Sequence, residues 1–277
     1  MAGKRDNRFR SGSFGVRLGS MLRVDFRRML TTPLFWICLG TAFAVPILIL
    51  VMTSMVGGAD SGLVYTNTWQ IIASESGNMM AMMGAAMEGG DAAAAGAGMM
   101  DMTSMMNINL VYFLAGVFLC LFTAEDFRSG YSKNLFTVRE RKTDYIASKT
   151  VVGFIAGAAF LLAFFAGAVF GGSFAGLSFE LGSAGASGLL MCMLAKIFLM
   201  AVFAAIFLLM SVIGRHRSWM SICLSLFGGM LLFMMIPMLT PLDSGIMNVG
   251  MCLAGGAIFA AGVGAVSNMV LKKSPLA

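Results

Sequence analysis

Residues 34–56 read Leu34-Phe35-Trp36-Ile37-Cys38-Leu39-Gly40-Thr41-Ala42-Phe43-Ala44-Val45-Pro46-Ile47-Leu48-Ile49-Leu50-Val51-Met52-Thr53-Ser54-Met55-Val56. The run of 23 residues holds no charge, and about 20 apolar residues suffice for a helix to cross the hydrocarbon of a bilayer. It is longer than the roughly 7–15 apolar residues of a signal peptide, so it reads as a retained membrane span. Pro46 predicts a kink within it.

Five more windows have the same character: 105–124, 150–172, 188–213, 219–239 and 246–271. Together the six make up half of the chain and hold one charge, Lys196. The chain of 277 residues is 58% hydrophobic and 12% charged, where a soluble domain is roughly half apolar and a quarter charged. A soluble enzyme is excluded on that ground. A β-barrel is disfavoured because the runs lack polar and apolar alternation. The expected fold is all-α: a polytopic membrane protein of six transmembrane helices.

The basic residues give the orientation. Lys4, Arg5, Arg8, Arg10, Arg17, Arg23, Arg27 and Arg28 precede the first span. Arg128, Lys133, Arg139, Arg141, Lys142 and Lys149 lie between the second and third; Arg215 and Arg217 join the fourth and fifth; Lys272 and Lys273 follow the sixth. The three remaining loops carry only acids, Asp60, Glu75, Glu88, Asp91, Asp101, Glu180 and Asp243. By the positive-inside rule both termini are cytoplasmic. The net charge of +6 is then a topology signal, and no nucleic-acid partner is expected. The five cysteines, Cys38, Cys120, Cys192, Cys223 and Cys252, all fall inside spans, which favours packing over a disulfide framework or metal site.

Residues 1–13 form a basic arm suited to anionic membrane lipid. Residues 14–32 follow as an amphipathic interfacial helix. Phe14, Leu18, Met21, Leu22, Phe26, Met29 and Leu30 share one side, and Arg17, Ser20, Arg23, Arg27 and Arg28 the other. Asp25 interrupts the apolar side, which argues that a basic group meets it. The domain of six helices then occupies 33–277.

The first external loop, 57–104, is long and rich in Gly, Ala and Met, with ten methionines from Met79 to Met106. Thioethers bind Cu(I), but the loop holds neither His nor Cys, so no metal site is assigned and a pliable apolar surface is preferred. Small residues four apart, Gly153 and Gly157, Gly167 and Gly171, and Gly256, Ala260 and Gly264, mark faces where helices approach closely, within the chain or across a dimer seam. Lys196 has two readings. It snorkels to the external interface, meeting Glu180, or it lines a polar substrate path.

The connection between spans two and three, 125–149, is the most informative stretch. Glu125 and Asp126 end a span, where the helix dipole disfavours carboxylates, so basic partners are expected, Arg27, Arg28 or Lys149. Ser129 and Gly130 break the helix, and residues 131–137 form two short turns that present Leu135 and Phe136. Thr143 or Asp144 is placed to cap the third span.

On these residues the chain resembles the permease subunits of ABC transporters of the type-2 exporter (ABC-2-like) family. The resemblance rests on the amphipathic helix leading into Leu34-Phe35-Trp36, on Asp126-Phe127-x-Ser129-Gly130-x-x-Lys133-Asn134, and on Arg141-x-x-x-Tyr145-x-x-x-Lys149. It implies a coupling helix over 131–137, with Tyr131, Lys133, Asn134, Leu135 and Phe136 meeting the nucleotide-binding subunit, and a connecting helix over 14–30 beside it. It also implies a second permease chain, identical or related, in the bacterial plasma membrane. The short fifth-to-sixth loop, Thr240 to Gly245, departs from the larger lipid- and drug-exporting relatives, so their outer gate is not carried over. No G-x-x-x-x-G-K-[ST] phosphate loop occurs, so this chain is expected to have no catalytic site and no cofactor of its own, ATP and Mg belonging to a separate ATP-binding subunit. The apolar outer loop points to a hydrophobic or amphipathic cargo, a small peptide such as a bacteriocin, toxin or antimicrobial peptide. Export of a drug, lipid or copper is the alternative within the same class, and a membrane scaffold or sensor the alternative outside it.

Overall fold

The computed structural model describes residues 14–56, 68–69, 108–138, 142–179, 185–214, 217–233, 236–240 and 244–273. They form nine helices: α1 Phe14–Thr31, α2 Pro33–Val56, α3 Leu110–Arg128, α4 Tyr131–Val138, α5 Lys142–Ala175, α6 Gly185–Ile213, α7 Ser218–Phe233, α8 Ile236–Leu239 and α9 Ile246–Lys273. Among the described residues no strand extends beyond one bridge at Ser178. The arm 1–13 and nearly all of loop 57–104, including its methionines, lie outside the described residues.

Five helices, α2, α3, α5, α6 and α9, are long and apolar enough to cross a membrane. The fifth expected window, 219–239, is helical wherever it is described, as α7 of 16 residues and α8 of four, with residues 234 and 235 outside the described residues. α2 continues through Pro46.

The helices alternate in direction, so the molecule has two ends. One carries α1, α4, the start of α5 and the last turn of α9; the other carries the starts of α3, α6 and α9 together with α8. α5 is the longest element: its 34 residues at about 1.5 Å each reach roughly 51 Å, against hydrocarbon of about 30 Å. The surplus includes the polar turns Lys142 to Lys149, on which α1 lies.

Close approach explains the small residues. A Cβ on Gly171 would stand 2.8 Å from Ile47 Cα, and one on Gly167 would meet the Phe43 carbonyl, so α2 and α5 touch along their backbones. Gly153 and Gly157 of α5 admit Leu119 of α3 and Met200 of α6, and Gly256 of α9 seats on the Phe198 carbonyl of α6. The two glycine faces of α5 are spent within the chain. Aromatic rings fill the centre: Phe118 lies 6.0 Å from Phe35 and 5.6 Å from Phe160, and Tyr112 lies tilted against Phe203 at 4.5 Å. The outer faces of α2 and α9 leave Ile37, Leu48, Met52, Ile258 and Met269 exposed, as lipid-facing surface requires. Near the α8 end Trp69 is buried against Phe165 and Phe179, and Thr68 N–H donates to the Ser178 carbonyl at 2.9 Å, pinning one point of loop 57–104 to α5.

Candidate functional site

The α1–α4 end holds a buried, charge-balanced cluster. Asp25 occupies the face of α1 that also buries Met21 and Met29, a spacing of four that turns all three toward α5. Asp126 is on the last turn of α3, and Lys149 two turns into α5. All three side chains have no exposure.

Lys149 Nζ stands 3.0 Å from Asp25 Oδ1 and 2.7 Å from Asp126 Oδ2. Arg28 reaches Asp126 Oδ1 at 2.6 Å. Two carboxylates and two cations therefore alternate across three helices with no net charge. Neutral donors complete them: Ser148 donates to Asp25 Oδ2 at 2.6 Å, and Tyr145 to Asp126 Oδ2 at 3.1 Å. Phe122 offers its ring to Lys149, 4.0 Å from the centroid. Such satisfaction is what a buried ion network needs to offset desolvation. A separate pair, Arg17 Nε to Asp144 Oδ2 at 2.9 Å, ties the start of α1 to the first turn of α5. Asp144 thus serves the contact between helices, because α5 begins two residues before it.

The cluster continues into α4. Ser129 closes α3, its N–H and hydroxyl both donating to the Glu125 carbonyl at 2.9 and 2.7 Å, and Gly130 takes the left-handed φ of +73° that glycine adopts most readily. The chain is thereby turned sharply into α4. Arg28 Cζ lies 4.3 Å from the Tyr131 ring centroid. Burial lowers the Arg28 guanidinium, but Asp126, with Tyr131 and Asp25, outweighs it and raises the group above its ordinary value. Burial pushes the Tyr131 phenol up, Asp25 adding to the effect and Arg28 opposing it. Both groups therefore keep their charge states through the physiological range.

Phe136 is a correction to the expected presentation of residues 131–137. It is 9% exposed and packs on Tyr145 at 5.4 Å. Ser132 and Phe136, four apart, form the inner face of α4, so the aromatic ring anchors the helix instead of facing outward. Asn134 is exposed and Leu135 half-buried; the side chain of Lys133 lies outside the described residues. Lys142 stands 5.7 Å from the Phe136 centroid and donates to the Leu271 carbonyl at 2.9 Å, joining this assembly to the end of α9. Of the other expected bracing residues, Arg27 and Glu125 are exposed and, among the described residues, make no ion pair.

Lys196 lies far from this end and is 4% exposed. Its Nζ donates to Thr240 Oγ1 at 2.9 Å and to Asn109 Oδ1 at 3.4 Å. Glu180, its expected partner, lies outside the described residues. An ammonium at mid-membrane costs about 2.5–3.5 kcal/mol on insertion scales, which these acceptors offset.

A family model described as ABC-2 family transporter protein matches residues 22–232. The chain belongs to the ABC-2 transporter family. No curated protein and no solved structure matches it. The matched segment of this ABC-2 chain takes in Asp25, Arg28, Asp126, α4 and Lys149. The family supplies the membrane permease of ABC transporters, which work with a separate ATP-binding subunit. The sequence alone points to Arg28 or Lys149 beside Asp126, and to a basic group beside Asp25 without saying which. The Asp25 partner Ser148 and the ring of Phe122 went unremarked; a small hydroxyl beside a lysine at a helix start was the available signal.

Proposed function

We propose that this chain is the membrane permease of an ATP-driven exporter and that α4 is the element on which the ATP-binding subunit acts. One observation carries the reading: the ion cluster Asp25, Lys149, Asp126 and Arg28 locks α1, α3 and α5 together directly beneath α4. A push on α4 is delivered through Phe136 and Tyr131 to a rigid block, and so to three helices at once. Asn134 and Leu135, with Lys133 beside them, form the contact surface. The positive-inside distribution supports a cytoplasmic location for this end, and the membrane of this reading is a bacterial plasma membrane. α7 and α8 together make the fifth of six crossings. The lipid-like outer faces leave room for a second permease chain, identical or related, and the cargo path runs between the two.

The cargo is hydrophobic or amphipathic, most simply a small peptide. Its support is chemical: a Met-rich outer loop and spans with few polar side chains offer soft apolar contact and little to recognise a polar solute. The test is reconstitution of the permease with its ATP-binding subunit in vesicles. Stimulation of ATP hydrolysis by amphipathic cationic peptides, with their ATP-dependent accumulation across the membrane, is expected. Stimulation by copper, lipid or drugs alone refutes the peptide assignment, and failure of any ATP-binding subunit to assemble refutes the permease reading.

A further inference from the structure

At the end opposite α4, five polar contacts converge on α8 and Lys196. Lys196 Nζ donates to Thr240 Oγ1 at the close of α8 and to Asn109 Oδ1 just before α3. Its own carbonyl accepts the Tyr112 hydroxyl at 2.8 Å. The two thiols nearby close on neighbouring carbonyls of the same turn: Cys192 Sγ of α6 to Thr240 O at 3.6 Å, and Cys252 Sγ of α9 to Leu239 O at 3.8 Å. Ile236, Thr240, Asn109 and Tyr112 are all buried.

Buried Ile236 and these contacts fix α8 against α3, α6 and α9. Lys196 is the one cation among them and bonds to two separate segments at once. Hydrogen bonds from a charged donor are the strong ones in a low-dielectric setting. We propose that Lys196 is a clamp that keeps the outer mouth of the permease shut, and that outward opening requires α8 to leave it. The role is structural and reversible: no substrate contact is needed, and the acceptors return to the ammonium on closing. It rests on the proposed function, an exporter that opens its cargo path alternately to either side of the membrane, with the α4 end in the cytoplasm and this end facing out.

Cys192 and Cys252 are 1% and 3% exposed and report on the clamp, because each is covered by a carbonyl of the segment that must move. The experiment uses the assembled permease and ATP-binding subunit in vesicles, with Cys38, Cys120 and Cys223 changed to alanine and a membrane-impermeant maleimide added at the outer face. Without nucleotide the two thiols should be protected in the parent. In Lys196→Met they should react roughly tenfold faster or more, as loss of hydrogen bonds from a charged donor implies, and Thr240→Val should give a smaller increase in the same direction. A companion chain that keeps Cys120 alone, buried in α3, should stay unreactive in both variants. Parent-like protection in Lys196→Met overturns the clamp, as does equal labelling of Cys120, which reports general loosening. If Lys196→Met does not assemble, unchanged protection in Thr240→Val overturns it instead. ATP hydrolysis measured on the same vesicles separates the two readings: an inactive parent complex defeats the permease assignment, while an active one with protected variants defeats the clamp alone.

Discussion

Replacing Lys149 by methionine is the perturbation that separates a structural ion cluster from incidental contacts. Methionine keeps most of the volume and removes the charge. Asp25 and Asp126 would then share one cation, Arg28, and the cluster would change from neutral to a net charge of −1. Breaking a buried pair by removing one partner costs about 3–5 kcal/mol, a large part of a typical total near 5–15 kcal/mol. The geometry also says how to repair it. Asp25→Asn restores neutrality and keeps an acceptor for Ser148, leaving Arg28 with Asp126 intact. Asp126→Asn restores neutrality too, but strands Arg28 and Asp25 without their nearest partners. The double variant Lys149→Met with Asp25→Asn should therefore recover roughly 2–3 kcal/mol relative to the sum of its single changes, and the double variant with Asp126→Asn distinctly less. Unfolding of the solubilised protein in a titration with denaturing detergent measures the parent, the three single variants and the two doubles. Refutation is a Lys149→Met variant within about 0.5 kcal/mol of the parent, or doubles that are merely additive.

Other outcomes follow from single contacts. Phe136→Ala should destabilise the α4 end by about 3 kcal/mol, as burial of a large aromatic implies, whereas Asn134→Ala, at an exposed position, should cost far less than that and weaken association with the ATP-binding subunit; the same titration and a co-purification read the two effects. Gly130→Ala forces a side chain into the left-handed region and should cost about 1–2 kcal/mol, visible as a lower unfolding midpoint. Gly171→Val drives a branched side chain into the backbone of α2 and should cost at least about 1–3 kcal/mol. Gly176→Val is a weaker control: its φ of +68° adds strain, but a Cβ there meets nothing within 4 Å.

The helical fold was legible because charge is excluded from long stretches, and α2, α6 and α9 fall close to where the charge-free windows end. The interior of α1 was legible in part: a carboxylate on an apolar face demands a partner, and periodicity places Asp25 inward, but nothing local says that Lys149, 124 residues on, will meet it. The glycines of α5 announced close contact without saying with which helix. Phe136 was misread for a physical reason. An aromatic in a short helix suits either a partner's groove or an internal anchor, and the choice is made by Tyr145 and Lys142, which approach only in the folded bundle.

The central claim is that α4 is the docking element for the ATP-binding subunit, and site-directed cross-linking in membranes tests it most directly. With the native cysteines removed, single cysteines at Asn134, exposed on α4, and at Met247, exposed at the opposite end, are each labelled with a thiol-reactive photo-cross-linker and illuminated in the presence of the ATP-binding subunit. The account predicts a cross-link from Asn134→Cys and none from Met247→Cys. A cross-link from the opposite end, or none from Asn134→Cys in a complex that still hydrolyses ATP, would contradict it.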